Sequence, residues 1–547
     1  MSRPAALFMI LVSAATTTAA CDNAARKGDA DTAPISVATS ALTADQRLAA
    51  CANDPRVVTG LASAQICAGA GVFFEETFGG NGRTCGSCHP SANNFTLDVA
   101  FIASRPQSDP LFVFENDPTH LGGLETTSLR AGAGILENVD GFQDPTHKFV
   151  IRSVPHLLAL STSIGPDVND PATTVPGTPP DPAVTVPPLQ RTGWAGDGGN
   201  LIDFLDSAIK QHYPKTLNRV AGADFRLSTP LEKQLVETFQ LNIGRKNELD
   251  LTQVNLFDAQ AQEGRRAFLD PMRGRCQVCH ANGGANFADT GKNRNFDIGT
   301  RFAPLQSFTL PIFDGVTLFD GGFGGTQFTD PNIIVLEVQN PDPPKNGFGN
   351  NTFNPPPVIE AADTLPAFHT NFFGGAGNGT NNIENVVTFY AGLFQQSPAA
   401  AELNARFGAP ANVGPDIDNI GRFLRALNIA LNIDMARQRL RASQTILSQF
   451  HDQFLPIQQR LIALAVAEID DALQVLQDAR TPQPFYPVSV QRLGDAKNEI
   501  AAALAGATYV QRQGPLSNAI SRVENARDPI GANINFTLGA GDLFFEP

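Results

Sequence analysis

The sequence predicts a mainly α-helical protein, built as two fused helical domains of one design with long irregular loops and a C-terminal helical extension. Three observations predict it. Apolar residues recur at helical spacing in Leu201 to Ile209, Leu231 to Leu241 and Ile420 to Leu431. A Gly-x-x-x-Phe pair occurs twice, at Gly69/Phe73 and Gly264/Phe268, each time shortly before a Cys-x-x-Cys-His motif, which reads as an internal duplication. The 48 Gly and 40 Pro among 547 residues point to extensive loops, and Gly165 to Leu189, rich in Pro, and Leu305 to Pro357, rich in Gly, Phe, Asn and Asp, read as loops or short hairpins.

From the N-terminus, Met-Ser-Arg is followed by an apolar run from Ala5 to Ala15 and then by small residues, the layout of a secretory signal over residues 1–20. Ala19 and Ala20 before Cys21 resemble a lipoprotein cleavage site, with Thr18 where Leu is usual; simple cleavage nearby is the alternative. The expectation is an exported protein, periplasmic or held at the outer membrane or cell surface by a lipid anchor on Cys21. Residues 21–45 read as a flexible tether. The first domain then spans 46–245, the second 246–436, and a helical extension with a short apolar tail fills 437–547. In that extension Ile446, Phe450, Phe454, Ile457, Leu461 and Leu464 keep a helical period; packing onto the core, covering the functional site or binding a partner are its candidate roles. Later in the chain no apolar run reaches the length of a spanning helix.

A net charge of −15 without a basic stripe argues against nucleic acid or an anionic membrane surface as partner, and leaves a basic or neutral one possible. Seven cysteines are present. Cys21 is the lipid candidate and four lie in the repeated motifs. Cys51 and Cys67 remain, either joined in an oxidising compartment or present as two buried thiols.

Cys85-Gly-Ser-Cys88-His89 and Cys276-Gln-Val-Cys279-His280 carry the chemistry. Two thiols three positions apart can add across the two vinyl groups of a haem, and the following His can ligate the iron. A thioredoxin-like pair or a zinc site explains neither adjoining His. Two covalent haem c groups on two fused cytochrome c-like domains are therefore expected, with Cys85, Cys88, His89, Cys276, Cys279 and His280 binding them and His89 and His280 as iron ligands.

Over roughly residues 60 to 435 the arrangement resembles the bacterial di-haem cytochrome c peroxidase superfamily, which includes MauG-type maturation enzymes and di-haem rubber oxygenases. Arg152-Ser153-Val154-Pro155 followed by Gly193-Trp194-Ala195-Gly196-Asp197-Gly198 is similar to the family's Arg-Asn-x-Pro and Phe-Trp-Asp-Gly stretches. The resemblance gives Trp194 the role of an electron bridge between haems; an ordinary core aromatic is the alternative. Asn295-Phe296-Asp297-Ile298-Gly299 is similar to Phe-x-Asn-Ile-Gly. Phe353 to Pro356 and Thr364-Leu365-Pro366-Ala367-Phe368-His369 resemble the segment ending Thr-Ala-Pro-Tyr-Met-His, and Ile383-Glu384-Asn385-Val386-Val387 resembles the helix after it. Where peroxidases place a Met ligand and MauG a Tyr, this chain has Phe368, which cannot coordinate iron. His369 is then the candidate second ligand, or a packing His beside a five-coordinate iron. The resemblance also implies a calcium ion between the domains, for which no ligands stand out.

Peroxide cleavage needs an open position on the iron and a polar group to move protons. The family's Gln and Glu after the Trp are not in place. His212, eighteen residues after Trp194, or Asp206 could substitute, although His212 reads first as an exposed helix-end residue. His120, His147 and His156 are candidates to close the sixth position at rest. The expected function is a di-haem oxidoreductase reducing hydrogen peroxide at the first haem, with electrons from a small cytochrome c or cupredoxin relayed through the second haem and Trp194. The alternatives are an oxygenase cleaving an apolar alkene such as polyisoprene with O₂ and no donor protein, suggested by Ala208-Ile209 and the long spacing to Trp194, or a non-catalytic electron carrier.

Overall fold

A computed structural model describes residues 42–123, 125–137, 150–165, 192–196, 200–300, 322, 351–369, 371, 382–411, 414–477 and 485–547. The signal segment, Cys21, most of the tether, His147, Asp197, Gly198 and most of the two loop-rich segments lie outside these residues. Within them the protein is mainly α, with nineteen α-helices and three two-stranded antiparallel sheets. None of these helices is long and apolar enough to cross a membrane.

Each duplicated Gly-x-x-x-Phe pair turns out to be one side of a helix crossing. Ser63 caps the helix Ala64–Glu75 by accepting from the Ile66 amide. Thr229 and Glu232 form a capping box, with Pro230 at the first position, on the helix Pro230–Gln240. Where the two cross, a Cβ added to Gly69 would lie 2.0 Å from the Leu235 carbonyl oxygen, so only glycine permits the approach. One turn on, Phe73 packs on Phe239 with ring centroids 5.1 Å apart. The second half repeats this. Asp258 caps the helix Ala259–Leu269, and a Cβ on Gly264 would lie 1.8 Å from the Asn419 carbonyl oxygen of the helix Ile417–Phe450. Phe268 then packs on Phe423 at 5.3 Å. Leu235 to Phe239 and Asn419 to Phe423 are both one helical turn, so the same contact pair is built twice.

The helix Ile417–Phe450 runs without a break through residue 436, where the sequence suggested that the second domain ends. The extension continues as Leu455–Leu476, Pro487–Ala505 and Tyr509–Arg527, and one apolar core runs from Ala44 to Phe544 through both halves and these helices. Leu42–Pro547 accordingly form one compact unit. Two satellite clusters sit beside the motifs, one containing Cys88 with Leu97 and Leu129, the other Val278 with Phe287 and Phe389.

The segment from Gly531 to Pro547 is a strap, not a loose tail. Strand Gly531–Ala532 pairs with Asn255–Leu256, the Gly539 amide donates to the Gly244 carbonyl, and both Asp542 oxygens accept from the Gly244 amide. Arg56 donates to the Leu543 carbonyl and stacks on Phe544 at 4.0 Å, while the Glu546 carboxylate accepts from the amide and hydroxyl of Ser91, both at 2.6 Å. Cys51 and Cys67 form a disulfide, with Cα atoms 5.8 Å apart, that ties the helix Ala44–Cys51 to Ala64–Glu75.

Gly69→Ala and Gly264→Ala should each lower unfolding free energy by about 1–3 kcal/mol through forced separation of the crossing helices. Gly494→Ala, where nothing lies within 4 Å of the new Cβ, should be neutral or stabilise by up to about 1 kcal/mol. Denaturant unfolding compares the three; equal stability for Gly69→Ala and Gly494→Ala would contradict the crossing argument.

Candidate functional site

Both Cys-x-x-Cys-His motifs open onto one cavity of about 350 Å³. Cys85, Cys88, Cys276 and Cys279 are all unbridged, and burial pushes their thiols well above the ordinary range, to about 11 or 12. Each pair forms a single helical turn, Cys85–Cys88 and Cys276–Cys279, which places both sulfurs on one side and lets the following His leave the turn with φ near −120°.

The two histidines are prepared alike. His89 Nδ1 donates to the Phe95 carbonyl at 2.8 Å, and His280 Nδ1 donates to the Pro356 carbonyl at 2.9 Å. Burial lowers both to about 4, so each ring is neutral and carries its proton on Nδ1. Nε2 is then the free lone pair, and both rings line the cavity. A neutral imidazole fixed through one nitrogen has the tautomer and orientation that metal ligation through the other requires. Three arginines also lie on the wall: Arg83 is paired with Glu125, Arg273 with Glu263 and Asp416, and Arg275 donates to the Asn404 side chain and the Gly408 carbonyl. The residues thus fit a covalent haem at each motif. Among the described residues no group of three or more His, Cys, Asp or Glu is placed to hold a metal ion, and the calcium expectation finds no such cluster there.

Trp194 lines the same cavity and is clamped by the segments around Ser153, Asn295 and Asn354. Its indole N–H donates to the Ser153 carbonyl at 2.9 Å. Ser153 in turn donates from its amide to the His369 carbonyl at 2.7 Å and from its hydroxyl to the Phe368 carbonyl at 3.0 Å. Asn354 donates from its amide to the Trp194 carbonyl at 2.8 Å and from its side chain to the Gly193 carbonyl at 3.0 Å, and Asn295 donates to the Ala195 carbonyl at 2.7 Å. Gly196, at φ +68°, is the turn that makes room for Asn295. Trp194 is therefore joined to the His369 segment by two consecutive hydrogen bonds.

His369 is 3% exposed, lines the cavity and stacks on Phe353 with ring centroids 3.8 Å apart. Phe368 takes a left-handed φ of +67°, uncommon for a bulky residue, and its ring packs edge-on against Phe389. The helix Ile383–Ala391 closes this side, held by a bidentate ion pair of Glu384 with Arg425 at 2.8 and 2.9 Å.

The candidate proton-moving residues separate. His212 is not an exposed helix-end residue: it ends the helix Leu201–His212 facing the cavity, where burial lowers it to about 3, and its Nδ1 has no hydrogen-bond partner among the described residues. The preceding Gln211 is 3% exposed, lines the same cavity, and its Oε1 likewise has no partner. The sequence reading missed Gln211 as a site residue; the apolar period of its helix gave no sign that a polar side chain would turn inward. Asp206 points elsewhere, accepting from the amide and hydroxyl of Ser228 and pairing with Lys233 at 2.8 Å. His120 is exposed and bonded to Asp117. His156 is in the cavity, lowered by burial, and close enough to His89 to oppose its protonation. Tyr213, the next residue after His212, donates to Cys85 Sγ at 3.1 Å.

Compared with protein-family models, with curated proteins and with solved structures, the chain matches none.

Proposed function

We propose that the protein is an exported di-haem c-type oxidoreductase that reduces hydrogen peroxide at the haem of Cys85, Cys88 and His89, drawing electrons through the haem of Cys276, Cys279 and His280. The observation that carries this reading is the pair of identically prepared histidines, each neutral, each fixed through Nδ1 and each facing a cavity shared with two unbridged thiols. When bound, the haems supply the redox-active irons.

The residues of the chain account for the remaining work. His89 and His280 would hold the two irons through Nε2, and His369 is the candidate further ligand for the haem of Cys276, Cys279 and His280. Peroxide reduction requires a proton to move from one oxygen to the other as the bond between them breaks. His212 can accept it at Nδ1, because its ring is neutral, buried and without another partner. Gln211 can orient the peroxide from the adjoining position. Trp194, Ser153 and His369 form the covalent and hydrogen-bonded route between the two sides. A small electron-donor protein, such as a cytochrome c or cupredoxin of basic or neutral surface, suits the net charge of −15. The signal-like layout of residues 1–20 and the position of Cys21 support a periplasmic protein or a lipoprotein at the outer membrane or cell surface.

A second reading rests on the apolar part of the same wall. Leu201, Phe204, Leu205, Ala208 and Ile164 line the cavity beside His212, and such a surface also suits an alkene substrate cleaved with O₂. Stopped-flow spectra after H₂O₂, with and without a reduced small cytochrome, separate the two: donor-dependent peroxide turnover supports the first, and O₂ uptake with polyisoprene but no peroxide turnover supports the second.

The pyridine haemochrome should report two haems per chain, falling to one in Cys85→Ala/Cys88→Ala and in Cys276→Ala/Cys279→Ala. Colourless protein from a host competent in haem attachment rejects the reading. His212→Ala should lower peroxide turnover by about 10²–10⁴-fold. Because His212 is held near 3, the neutral base is present throughout pH 5 to 8 and lost only as pH falls towards that value, so turnover should be insensitive to this group above about pH 4. A wild-type acid limb near the ordinary histidine range that vanishes in His212→Ala would contradict the assignment. Low-temperature EPR of the oxidised protein should show a low-spin bis-histidine haem that becomes high-spin in His369→Ala. Absence of that signal in the wild type excludes His369 as a ligand.

A further inference from the structure

Behind the loop that leads to His369 lies a buried group of acids that peroxide chemistry, as described, does not use. Asp363 sits on this loop between Ala361 and Thr364, both of which line the cavity. Its Oδ2 accepts from Asn432 at 2.6 Å, its amide donates to Asn428, and its Oδ1 is buried without a partner among the described residues. Glu468, 2% exposed on the helix Leu455–Leu476, accepts from Arg439 through Oε1 at 2.5 Å, while its Oε2 has no partner. Glu360 repeats the pattern: Oε1 accepts from Arg245 at 2.6 Å, and the buried Oε2 has none.

The charges do not balance. Glu360 and Asp363 on the loop, Glu468 and Asp471 on the helix Leu455–Leu476, Asp542 on the strap and Glu248 beside Arg245 make six carboxylates. The cations facing them are Arg439 on the helix Ile417–Phe450 and Arg245, and the His156 ring, its basicity lowered by burial, also faces Glu360 and Arg245. Several unpaired negative charges cannot be held in so buried a place, so some of these acids keep a proton. Burial first, and then mutual repulsion, raises Asp363, Asp471 and Asp542 well above the ordinary carboxylate range. Asp471, only partly buried and accepting from Asn94 at 3.2 Å, forms the outer edge of the group and a route to solvent.

We propose that this cluster, with Asp363 and Glu468 at its centre and Asp471 as its door, takes up one proton from solvent when an electron from a donor protein enters the adjoining haem site, and releases it when the electron leaves. The step is balanced: one electron and one proton enter together, and the net charge of the interior is unchanged. It rests on the haem reading above. The two unpartnered carboxylate oxygens are the seats for the proton, and the loop from Glu360 to His369 is the connection to the redox centre. In peroxide reduction, which consumes two protons with two electrons, such a store brings charge and proton to the cavity together.

Spectroelectrochemical titration of the full-length haem-loaded protein across mildly acidic to mildly alkaline pH tests this. The midpoint potential of one haem should fall as pH rises, approaching 59 mV for each tenfold drop in proton activity. Asp363→Asn should flatten that slope, and the redox-difference infrared spectrum should lose a protonated-carboxyl C=O band that forms on reduction of the wild type. If Asp363→Asn does not fold, Asp471→Asn at the partly exposed edge must show the same flattening. A wild-type potential that does not change with pH, or a slope and band that survive in these variants, overturns the proposal. Colourless protein rejects the haem reading and this inference with it, whereas red protein with a flat potential rejects the inference alone.

Discussion

Backbone-to-backbone contact at two helix crossings is the constraint from which the rest of the architecture follows. At Gly69 and again at Gly264 there is no space for even a methyl group before the carbonyl of the crossing helix. That closeness lets Phe73 and Phe268 reach across to Phe239 and Phe423, and it anchors the helix that runs into each Cys-x-x-Cys-His turn. A wider crossing would move the motif turn away from the wall it shares with its counterpart. The physical reason for glycine here is packing, since both positions are helical and neither needs a left-handed backbone.

The same cavity collects groups whose neutral or unpaired state is imposed by burial. His89, His280 and His212 all lose basicity through desolvation, but they differ in what their nitrogens do. The first two spend Nδ1 on a carbonyl and so expose only Nε2. His212 keeps Nδ1 without a partner, which separates a group suited to hold iron from one suited to move a proton. Trp194 is distinguished in another way, by four hydrogen bonds from or to Ser153, Asn354 and Asn295 that fix its ring and flanking backbone. These bonds join the aromatic ring to the His369 segment through Ser153 and leave it little freedom to reorganise.

The helices after residue 436 are part of the core and not an appendage. Helix Ile417–Phe450 serves both the second crossing and the packing of Leu455–Leu476, and the strap at the C-terminus returns to Gly244 and to Ser91, two residues beyond His89. Carboxylates from the loop, the added helices and the strap meet in the interior with Arg245 and Arg439. The extension therefore contributes to the electrostatics behind the cavity, although none of its described residues lines the wall.

By itself the sequence determined the local pattern: two Cys-x-x-Cys-His turns, the mainly helical class and the repeated Gly-x-x-x-Phe pair. These are legible because each depends on residue type and short spacing, which covalent geometry and helical periodicity impose directly. Only the tertiary structure decided that the glycines are crossing points, that both motifs share one cavity, that Gln211 and His212 turn inward while Asp206 and His120 do not, and that the apolar tail is a strap ending at Ser91. Those facts depend on contacts between residues far apart in the chain. The helical period that marks Leu201 to Ile209 as amphipathic says which face is buried, but burial against protein and burial against a cavity look alike until the opposite wall, drawn from residues near 85, 156 and 280, is in place.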